Sequence, residues 1–479
     1  MPRKRRDPVA SAPPPLSEVP LPPEDSSFSR DFNCSGLGNS EFFIERHGDH
    51  LRFDPDRGTW LVWGEHSWRP GASAEAMELA KHTMRFRGMR SMRRHDDPQK
   101  IQKEVTFSLR SENLRPILDL LKLSETDPAI RVESGLWDRD PLLLGAANGV
   151  VDLRDGSLRS GAQSDLISRA SPIPFDPLAP APRWLAFIDS IFNGHSQLIS
   201  FVQRALGYSL TGSTSEQCLF ACYGTGANGK STLLETVHSI LGSLATATPF
   251  STFEAHDSKG ATNDLAALTS VRFVTASETG EDTRLNEARV KAITGGDTIS
   301  ARFHFKEFFT FTPVFKLWLA FNHRPVVRDD SEGFWRRVHL VPFEQEFLGS
   351  RADRDLFLKL RAEAPGILAW MVAGAVAWKV EGLCPPEEVT SATREYREES
   401  DPLSEFLESC CELGEGKSEL SSRLYKTYIA WKAKAEGINA DSLTQTSFGN
   451  RMVRKFKRTH SEHGKKYLGL SIRPDRLTG

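Results

Sequence analysis

A glycine-rich loop between an apolar run and a helix-like segment, in FACYGTGANGKSTLLETVHSIL (220–241), restricts the fold more than any other feature. Its stretch GTGANGKS (224–231) matches G-x-x-x-x-G-K-[ST] in full. In such a loop the glycines turn backbone N–H groups toward phosphate oxygens, the lysine reaches the β- and γ-phosphates, and the serine hydroxyl binds Mg²⁺. The helix that follows points its positive dipole end at the same anion. The sequence therefore predicts a site for a nucleotide and Mg²⁺ formed by Gly224, Thr225, Gly226, Ala227, Asn228, Gly229, Lys230, Ser231 and Thr232. The loop alone does not separate a kinase, a GTPase, a packaging motor and a helicase.

Composition excludes several classes of protein. The 479 residues suffice for about two to four domains, and a net charge of −2 means that any nucleic-acid-binding surface must be local. No run of about 18 apolar residues appears, so no membrane span is expected. The N-terminus lacks the apolar core of a secretory signal, and the six cysteines fit no zinc or disulfide spacing. These features favour a cytoplasmic protein.

Two further apolar strands end in polar side chains. VRFVTASE (271–278) ends in Glu278, and an acid at the tip of the strand beside the phosphate loop can hold Mg²⁺ or polarise the attacking water. Glu281 is a weaker second candidate, and the alternative for Glu278 is an ordinary exposed strand end. KLWLAFNHRP (316–325) ends its apolar run at Asn322, whose amide would orient the water and sense hydrolysis.

The segment GFWRRVHLVPF (333–343) carries the arginine pair Arg336 and Arg337. An arginine that reaches the γ-phosphate of a neighbouring subunit contributes about 10³–10⁵ in hydrolysis rate. We expect one of the two to have this role, while the alternative for the other is a structural ion pair.

The region KAITGGDTISARFHFKEFFTFTP (291–313) combines a Gly-Gly-Asp turn with an alternating pattern that predicts a strand pair. One phase of the alternation is apolar, and the other carries Arg302, His304 and Lys306. A basic hairpin tip would hold the phosphates of a nucleic-acid strand electrostatically. The alternative is a hairpin with an ordinary solvated face.

The order of these motifs, GTGANGKST, RFVTASE, KAITGGDTISAR, FKLWLAFNHRP and FWRRVHLVPF, resembles the superfamily 3 helicases of the phage and plasmid primase–helicase type, which include the poxvirus primase–helicase. The resemblance covers about 185–345 strongly and extends loosely upstream to NGVVDLRDGSLR and APRWLAFIDSIF. It implies an AAA+-like α/β fold, a ring that is usually a hexamer with ATP sites between subunits, and 3′-to-5′ translocation on single-stranded DNA.

The same resemblance implies roles for individual residues. Lys230 and Ser231 would bind nucleotide and Mg²⁺, and Glu278 would be the Walker B acid that shares the metal. Asn322 would be sensor 1, Arg336 or Arg337 the arginine finger, and the hairpin at 298–306 would hold DNA. Many members of this group carry a primase domain ahead of the helicase. Only about 30 tail-like residues precede the first predicted domain here, and no acidic metal motif for nucleotidyl transfer was found, so a separate primase is the expected partner.

The C-terminal end has a strong local charge. From Lys417 to Gly479 there are 14 Lys and Arg against 5 Asp and Glu, in a pattern of helix, turn, helix and short strand pair. In the second helix Phe448, Met452 and Phe456 form an apolar stripe, which predicts an outward basic face. That face and the wing after it would bind duplex DNA through Arg451, Arg454, Lys455, Arg458, Lys465 and Lys466, with Lys457 near its edge. The module resembles a winged helix, and a basic domain without DNA-binding function is the alternative.

The predicted domains are a Pro-rich tail (1–30), an α+β domain (31–183), a superfamily 3 ATPase domain (184–383), a linker (384–400) and a winged helix (401–479). The predicted function is an ATP-dependent, ring-forming DNA helicase for phage or plasmid replication, located in the cytoplasm. The alternative is an ATP-switched initiator that marks or melts an origin and recruits a host helicase. A P-loop kinase or GTPase is disfavoured because no suitably placed N-K-x-D motif is present.

Overall fold

The computed structural model describes residues 31–255, 262–277, 283–303, 307–401, 403–436, 442–462 and 464–474. The predicted tail at 1–30 therefore lies outside the described residues. Within the described ranges, no helix combines the length and the apolar composition needed to cross a membrane.

The N-terminal part packs four helices on a small antiparallel sheet. Its elements are α1 (Gly36–His47), β1 (Leu51–Asp54), β2 (Thr59–Trp63), β3 (Trp68–Pro70), α2 (Ser73–Arg94), α3 (Pro98–Ser111) and α4 (Leu114–Ser124). β2 and β3 form a hairpin in which Trp63 pairs with Trp68. Arg87 of α2 is buried and donates to Asn39 Oδ1 of α1 at 2.7 Å, and it forms an ion pair with Glu104 of α3. This buried cation fixes the three helices relative to one another.

A second antiparallel sheet joins this part to the central α/β part of the chain. It consists of β4 (Leu143–Ala146), β5 (Gly149–Asp152) and β6 (Ser157–Arg159). The β5–β6 hairpin is the one predicted from NGVVDLRDGSLR. Its acids have structural partners, because Asp155 Oδ1 accepts from the Ser157 N–H at 2.8 Å and Asp152 pairs with Arg154 at 3.1 Å. These contacts explain both carboxylates without a metal ion.

The central sheet contains five parallel strands. They are β7 (Leu219–Tyr223), β8 (Ala245–Ala247), β9 (Phe273–Ser277), β12 (Lys316–Phe321) and β13 (Val338–Pro342), in the order β13-β7-β12-β9-β8. The prediction of a mixed α/β core is confirmed. The prediction that the Glu278 strand lies beside the phosphate-loop strand is wrong, because β12 lies between β9 and β7 and pairs with both.

Helices cover both faces of this sheet. Those in the core are α5 (Pro182–Ile191), α6 (Ser196–Leu210), α7 (Lys230–Leu241), α8 (Thr262–Ala267), α9 (Glu287–Gly295), α10 (Glu332–Trp335), α11 (Leu356–Arg361), α12 (Ala364–Glu381) and α13 (Glu387–Glu399), and a hairpin, β10 (Ile299–Ala301) and β11 (Phe309–Phe311), follows α9. Side chains alternate along β7, so Phe220 and Cys222 enter one apolar cluster while Leu219 and Ala221 enter another. Cys222 is fully buried in its cluster, and burial raises the pKa of its thiol to about 12.

The predicted linker at 384–400 is largely an ordered helix. α13 packs along β13 and buries Val389, Ala392 and Tyr396. Every third or fourth residue of this otherwise charged segment is apolar, which matches one face of a helix. The C-terminal part therefore follows an element that is itself packed against the central parallel sheet.

The C-terminal part has its own apolar core and a three-stranded antiparallel sheet. Its elements are α14 (Ser404–Cys410), β14 (Cys411–Leu420), α15 (Ser421–Glu436), α16 (Gln445–Lys455), β15 (Arg458–Ser461) and β16 (Gly464–Ile472), with strand order β14-β16-β15. Phe448 and Met452 of α16 are buried with Phe406 and Tyr428, as the apolar stripe predicted. The predicted strand pair is β15–β16, and β14 adds a strand that was not predicted.

Candidate nucleotide-binding site

The glycine-rich loop joins the end of β7 to the start of α7 at the carboxyl edge of the parallel sheet. This edge is where open α/β sheets bind ligands. Gly226 and Gly229 have φ values of +124° and +85°, which glycine adopts without strain. A Cβ on Gly229 would also lie 2.6 Å from the Ile191 side chain. No side chain caps α7, so the backbone N–H groups of its first turn are directed at an incoming anion.

Lys230 is buried at the centre of this edge, with 5% of its surface exposed. Its Nζ donates to the Gly224 carbonyl at 2.5 Å, to Asn228 Oδ1 at 2.9 Å and to Asn322 Oδ1 at 3.1 Å. All three acceptors are neutral, and none of the carboxylates in the described ranges forms an ion pair with it. Burial lowers the pKa of the ammonium. A poorly solvated cation with neutral partners attracts a multiply charged anion strongly.

Asn228 is the second buried polar residue of the loop. Its Oδ1 accepts from Lys230, and its Nδ2 donates to the Phe343 carbonyl at 3.2 Å. A Cβ on Gly224 would lie 2.1 Å from Asn228 Nδ2, so glycine is required where the amide crosses the loop. The pattern assigns this position no residue type, and the structure gives Asn228 the role of fixing both the lysine and the end of β13.

The segment after β13 holds the loop from outside. The Phe347 N–H donates to the Ala227 carbonyl at 2.8 Å, and the Thr225 hydroxyl donates to Glu346 Oε1 at 3.1 Å. Ser231 is exposed at the start of α7, and Thr232 is half-buried. The loop is therefore pre-shaped by contacts that no local motif encodes.

A cavity of about 780 Å³ opens above the loop, which is within the usual range for a small-molecule site. Loop residues 226–232 and Asn322 form one side. Sequence reasoning missed the opposite side, whose lining includes Arg183, Phe187, Ser190, Arg351, Asp353 and Leu356. These residues come from α5, from α11 and from the segment before α11, and their sequence shows only ordinary helical periodicity.

The arginine pair lies at the other edge of the sheet. β13 runs parallel to β7, with Val338 beside Leu219. Arg336 and Arg337 come just before the start of β13, at the amino edge of the sheet, whereas the phosphate loop comes after the end of β7, at the carboxyl edge. Five residues of strand separate the two edges by roughly 16 Å. Neither arginine can therefore reach the phosphate loop of its own chain.

The two arginines differ in exposure. Arg336 is exposed, and its Nη2 donates to Gln217 Oε1 at 2.7 Å. Arg337 is half-buried, donates to the Gly333 carbonyl, and its Nε is buried without a hydrogen-bond partner in the described structure. Burial also lowers the pKa of the Arg337 guanidinium. Arg336 is the one available to another molecule.

Several predicted residues lie outside the described residues: Glu278, Glu281, His304 and Lys306. Ser277, the last residue of β9, pairs with Ala320 of β12 at the same carboxyl edge as the loop. The predicted strand pair is confirmed as β10–β11. Arg302 is exposed at its end, with its guanidinium carbon 4.6 Å from the centre of the Phe308 ring.

The basic C-terminal residues fall into two groups. Lys457, Arg458 and Lys465 are exposed on or beside the β15–β16 hairpin, and Lys466 is half-buried there. The prediction that Arg451 faces outward is wrong: it is 9% exposed and donates to the Arg328 carbonyl in the segment between β12 and α10. Arg454 and Lys455 are exposed but form ion pairs with Asp330 and Asp401. The apolar stripe correctly predicted which face of α16 is buried, but Arg451 lies at the border of that face and is buried with it.

Two family models match the chain. One, described as D5 N terminal like, covers residues 40–193, and the other, a family of unknown function (DUF5906), covers residues 222–337. The second match contains the phosphate loop, the β10–β11 hairpin, Asn322 and the arginine pair. The first ends at α5, which lines the cavity.

Curated relatives are viral. The chain is 28% identical over 292 residues to "Putative helicase L207/L206" of Acanthamoeba polyphaga mimivirus, a match that covers 56% of this chain and 30% of the relative. It is 27% identical over 357 residues to "Putative helicase 022R" of Frog virus 3 (isolate Goorha), covering 57% of this chain and 36% of the relative. The chain thus spans about a third of the length of the curated relatives it matches, and a separate primase stays a prediction.

A solved structure, the apo structure of NrS-1 C terminal region (305-718), overlaps 91% of this chain and 99% of its own, with a TM-score of 0.49 at 10% identity. A likeness at that level carries no argument about function. The viral relatives and the D5 match confirm the resemblance that the motif order predicted: the chain is similar to phage and viral primase–helicase proteins.

Proposed function

We propose that this chain, similar as it is to viral helicases, is an ATP-driven motor that moves on DNA during replication of a virus, phage or plasmid. The observation that carries the proposal is the meeting of Lys230 and Asn322, 92 residues apart, at the mouth of the cavity. A lysine aimed at phosphates and an amide beside it are the parts that a hydrolysing site needs, whereas a static phosphate site needs only the first.

The described residues fit a nucleoside triphosphate with Mg²⁺. The uncapped start of α7, the positive φ values of the loop and the buried ammonium all favour a polyphosphate. Bound ATP–Mg²⁺ supplies the anhydride to be cleaved and a cation that neutralises charge on its β- and γ-oxygens. Lys230 would bind those oxygens, and the exposed Ser231 hydroxyl would be a metal ligand together with Glu278.

Asn322 would hold the attacking water, since its amide lies beside Lys230 and therefore beside the site of the terminal phosphate. Glu278 follows β9, one strand beyond β12, and we propose it as the acid that polarises this water. Because β12 lies between β7 and β9, we expect the Asn322 amide that follows β12 to lie between the loop and this acid. A shift of β12 would thus change the positions of the Asn322 amide and the Glu278 carboxylate relative to the loop at the same time.

Hydrolysis would require a second copy of the chain. Arg336 is exposed at the edge opposite the loop, so it would reach the phosphates of a neighbouring subunit, while Arg337 would support the β13 edge. This division of the site between two subunits favours a ring, and we propose a hexamer. Each subunit would have an AAA+-like core, and the ring would translocate on single-stranded DNA. In it the β10–β11 hairpin would bind DNA phosphates through Arg302, His304 and Lys306.

The C-terminal part would act as a winged helix that helps to load the ring on duplex DNA. Its helix pair α15 and α16, followed by the β15–β16 hairpin, has the order of such a module. The exposed Arg458 and Lys465, with the half-buried Lys466, would bind the duplex backbone.

The decisive test is strand displacement on forked DNA with ATP and Mg²⁺, using substrates with only a 3′ or only a 5′ tail to obtain the direction. We expect release of the strand by wild type and none by Lys230→Ala. Lys122→Ala is the matched control, because Lys122 is an exposed lysine paired with Glu125 far from the loop. ATP hydrolysis without strand release would support the origin-marking switch instead, and no DNA-dependent hydrolysis would contradict both.

A further inference from the structure

The basic face of α16 is occupied by carboxylates of the same chain. Arg454 Nη1 lies 2.5 Å from Asp330 Oδ1, and Arg451 Nη1 lies 3.4 Å from Asp330 Oδ2. Lys455 Nζ lies 2.6 Å from Asp401 Oδ2. These three cations of α16 thus bind two acids that lie outside the C-terminal core. In the chain, Asp330 comes before α13 and Asp401 comes after it.

Asp330 lies in the segment that joins the two halves of the hydrolysis machinery. Residues 323–331 connect Asn322, at the carboxyl edge of the sheet, to α10 and Arg336 at the amino edge. Side chains of α9 and α13 hold this segment at three residues. Tyr396 donates to the Pro325 carbonyl at 2.5 Å, Asp329 accepts from Lys291, and the Asp330 carbonyl accepts from Arg397 Nη2 at 3.0 Å. Contacts of α16 are therefore made to the segment that couples the two edges.

The cations of α16 differ in how easily another anion could take them. The Arg451 side chain is 10% exposed and also binds the Arg328 carbonyl, so it anchors the helix. The Arg454 and Lys455 side chains are 55% and 38% exposed, and each is held by a carboxylate alone among the described contacts. An exposed ion pair is weak, and a phosphate oxygen offers the same charge-assisted hydrogen bond as a carboxylate. Arg458 and Lys457 are exposed immediately beyond, so a duplex backbone could span all four.

We propose that Asp330 is an internal competitor of the DNA phosphate backbone. Duplex DNA that binds α16 takes Arg454 from Asp330 and Lys455 from Asp401, and the 323–331 segment loses a contact that holds it. DNA binding at the C-terminal part is thereby linked to the positions of Asn322 and Arg336. The inference rests on the proposed function, which supplies DNA as the ligand.

The test compares Asp330→Asn with Asp329→Asn in the full chain. Both variants remove one negative charge from adjacent positions, but Asp329 contacts Lys291 and Ser331 and makes no ion pair with α16. Binding of a fluorescent duplex is measured by anisotropy at several salt concentrations. Asp330→Asn should bind about twofold to fivefold more tightly, and its plot of log affinity against log salt should be steeper by about one. Asp329→Asn should match wild type in both.

Equal affinity and equal salt slope for Asp330→Asn and wild type would overturn the inference, as would an equal gain from Asp329→Asn. Should Asp330→Asn not fold, Asp401→Asn frees Lys455 and should change affinity and slope in the same direction. The outcome is separable from the proposed function. A wild type that unwinds forked DNA while Asp330→Asn binds like wild type removes only the competition, whereas a wild type that never binds DNA removes both.

Discussion

Arg324 stacks on Tyr223, with its guanidinium carbon 4.6 Å from the ring centre, and the same guanidinium lies 2.5 Å from Glu399 Oε1. Tyr223 is the last residue of β7 before the phosphate loop, and Glu399 is the last residue of α13. One side chain therefore connects the strand under the nucleotide site, the end of β12 and the helix that leads to the C-terminal part.

Replacing Arg324 should loosen this junction. A cation–π contact contributes about 0.5–2 kcal/mol, so Arg324→Ala should lower the free energy of unfolding by that amount and slow ATP hydrolysis. Arg324→Lys should recover less than half, because an ammonium lacks the planar stacking face. Urea unfolding and steady-state hydrolysis measure the two effects. The matched control, Arg361→Ala, removes an arginine 6.0 Å from Phe357 on α11, and a loss as large there would contradict the argument.

Substitutions at Asn322 should separate binding from hydrolysis. Asn322→Ala removes the amide that we propose positions the water but leaves Lys230 bonded to Gly224 and Asn228. Nucleotide affinity should therefore stay near wild type while single-turnover hydrolysis falls about 10²-fold. Asn322→Asp places a carboxylate beside the ammonium and neutralises it. That variant should bind ATP about tenfold more weakly, which is about 1.4 kcal/mol. Unchanged hydrolysis in both variants would remove Asn322 from the site.

Mixing variants should show which arginine acts on a neighbouring copy. Arg336→Ala keeps an intact phosphate loop, and Lys230→Ala keeps an intact Arg336, so each is inactive alone but together they form some complete sites. Hydrolysis should reappear in that mixture. The control is Arg337→Ala, which should lower thermal stability because Arg337 is half-buried and bonded to Gly333. No recovery in the first mixture, with both proteins shown to associate, would argue against a shared site.

Two arginines of the C-terminal part should have opposite phenotypes. Arg451→Ala removes a buried guanidinium bonded to the Arg328 carbonyl and should lower the free energy of unfolding by about 1–3 kcal/mol. Arg458→Ala removes an exposed cation, so stability should change by less than about 0.5 kcal/mol while duplex affinity falls and the salt slope decreases by about one. Urea unfolding and anisotropy measure the two effects. A large loss of stability in Arg458→Ala, with a loss of duplex affinity only in Arg451→Ala, would contradict these roles.

Stability should decline in acid because of buried neutral histidines. Burial lowers the pKa of His339 to about 4 and that of His47 to about 3. The ordinary pKa of histidine is about 6.5, so below that pH the unfolded chain binds protons at these positions and the native chain does not. The contribution of the two histidines to stability is therefore fully present above about pH 6.5 and is lost as the pH drops toward 4. Each group contributes up to about 1.4 kcal/mol per pH unit in that window.

His339→Phe tests this account, since His339 stacks on Phe220 and a phenyl ring suits that site. The slope of unfolding free energy against pH between 6 and 4.5 should be shallower by nearly one proton. His460→Phe, at an exposed position, should keep the wild-type slope. Parallel slopes for all three proteins would contradict the assignment.

Sequence reasoning found the parts of the site that short motifs encode. The phosphate loop, the strand that ends at Asn322 and the β10–β11 hairpin were all predicted, because each depends on residues within about ten positions. The place of β9 was predicted wrongly, since strand order is set by how β12 crosses over the sheet. The cavity wall formed by Arg183 and Arg351 depends on packing between distant helices, which leaves no local pattern.

The predicted orientation of Arg451 was wrong for a related reason. It follows Phe448 by three positions and precedes Met452 by one, so it lies at the border of the apolar stripe, where helical phase alone does not decide. The carboxylate of Asp330 and the Arg328 carbonyl decide it, and both come from a different part of the chain.

The placement of Lys230 and Arg336 at opposite edges of one sheet also limits the symmetry of assembly. If Arg336 acts on a neighbouring copy, as we propose, a two-fold dimer can complete its sites only when both edges of the sheet lie in one self-complementary interface, because such a contact pairs residues reciprocally. A head-to-tail contact needs only one edge from each copy, and it either closes into a cyclic assembly or continues as a filament. Every closed cycle would then complete as many sites as it has subunits. Hydrolysis per chain should therefore rise steeply with protein concentration and level off once cycles have closed.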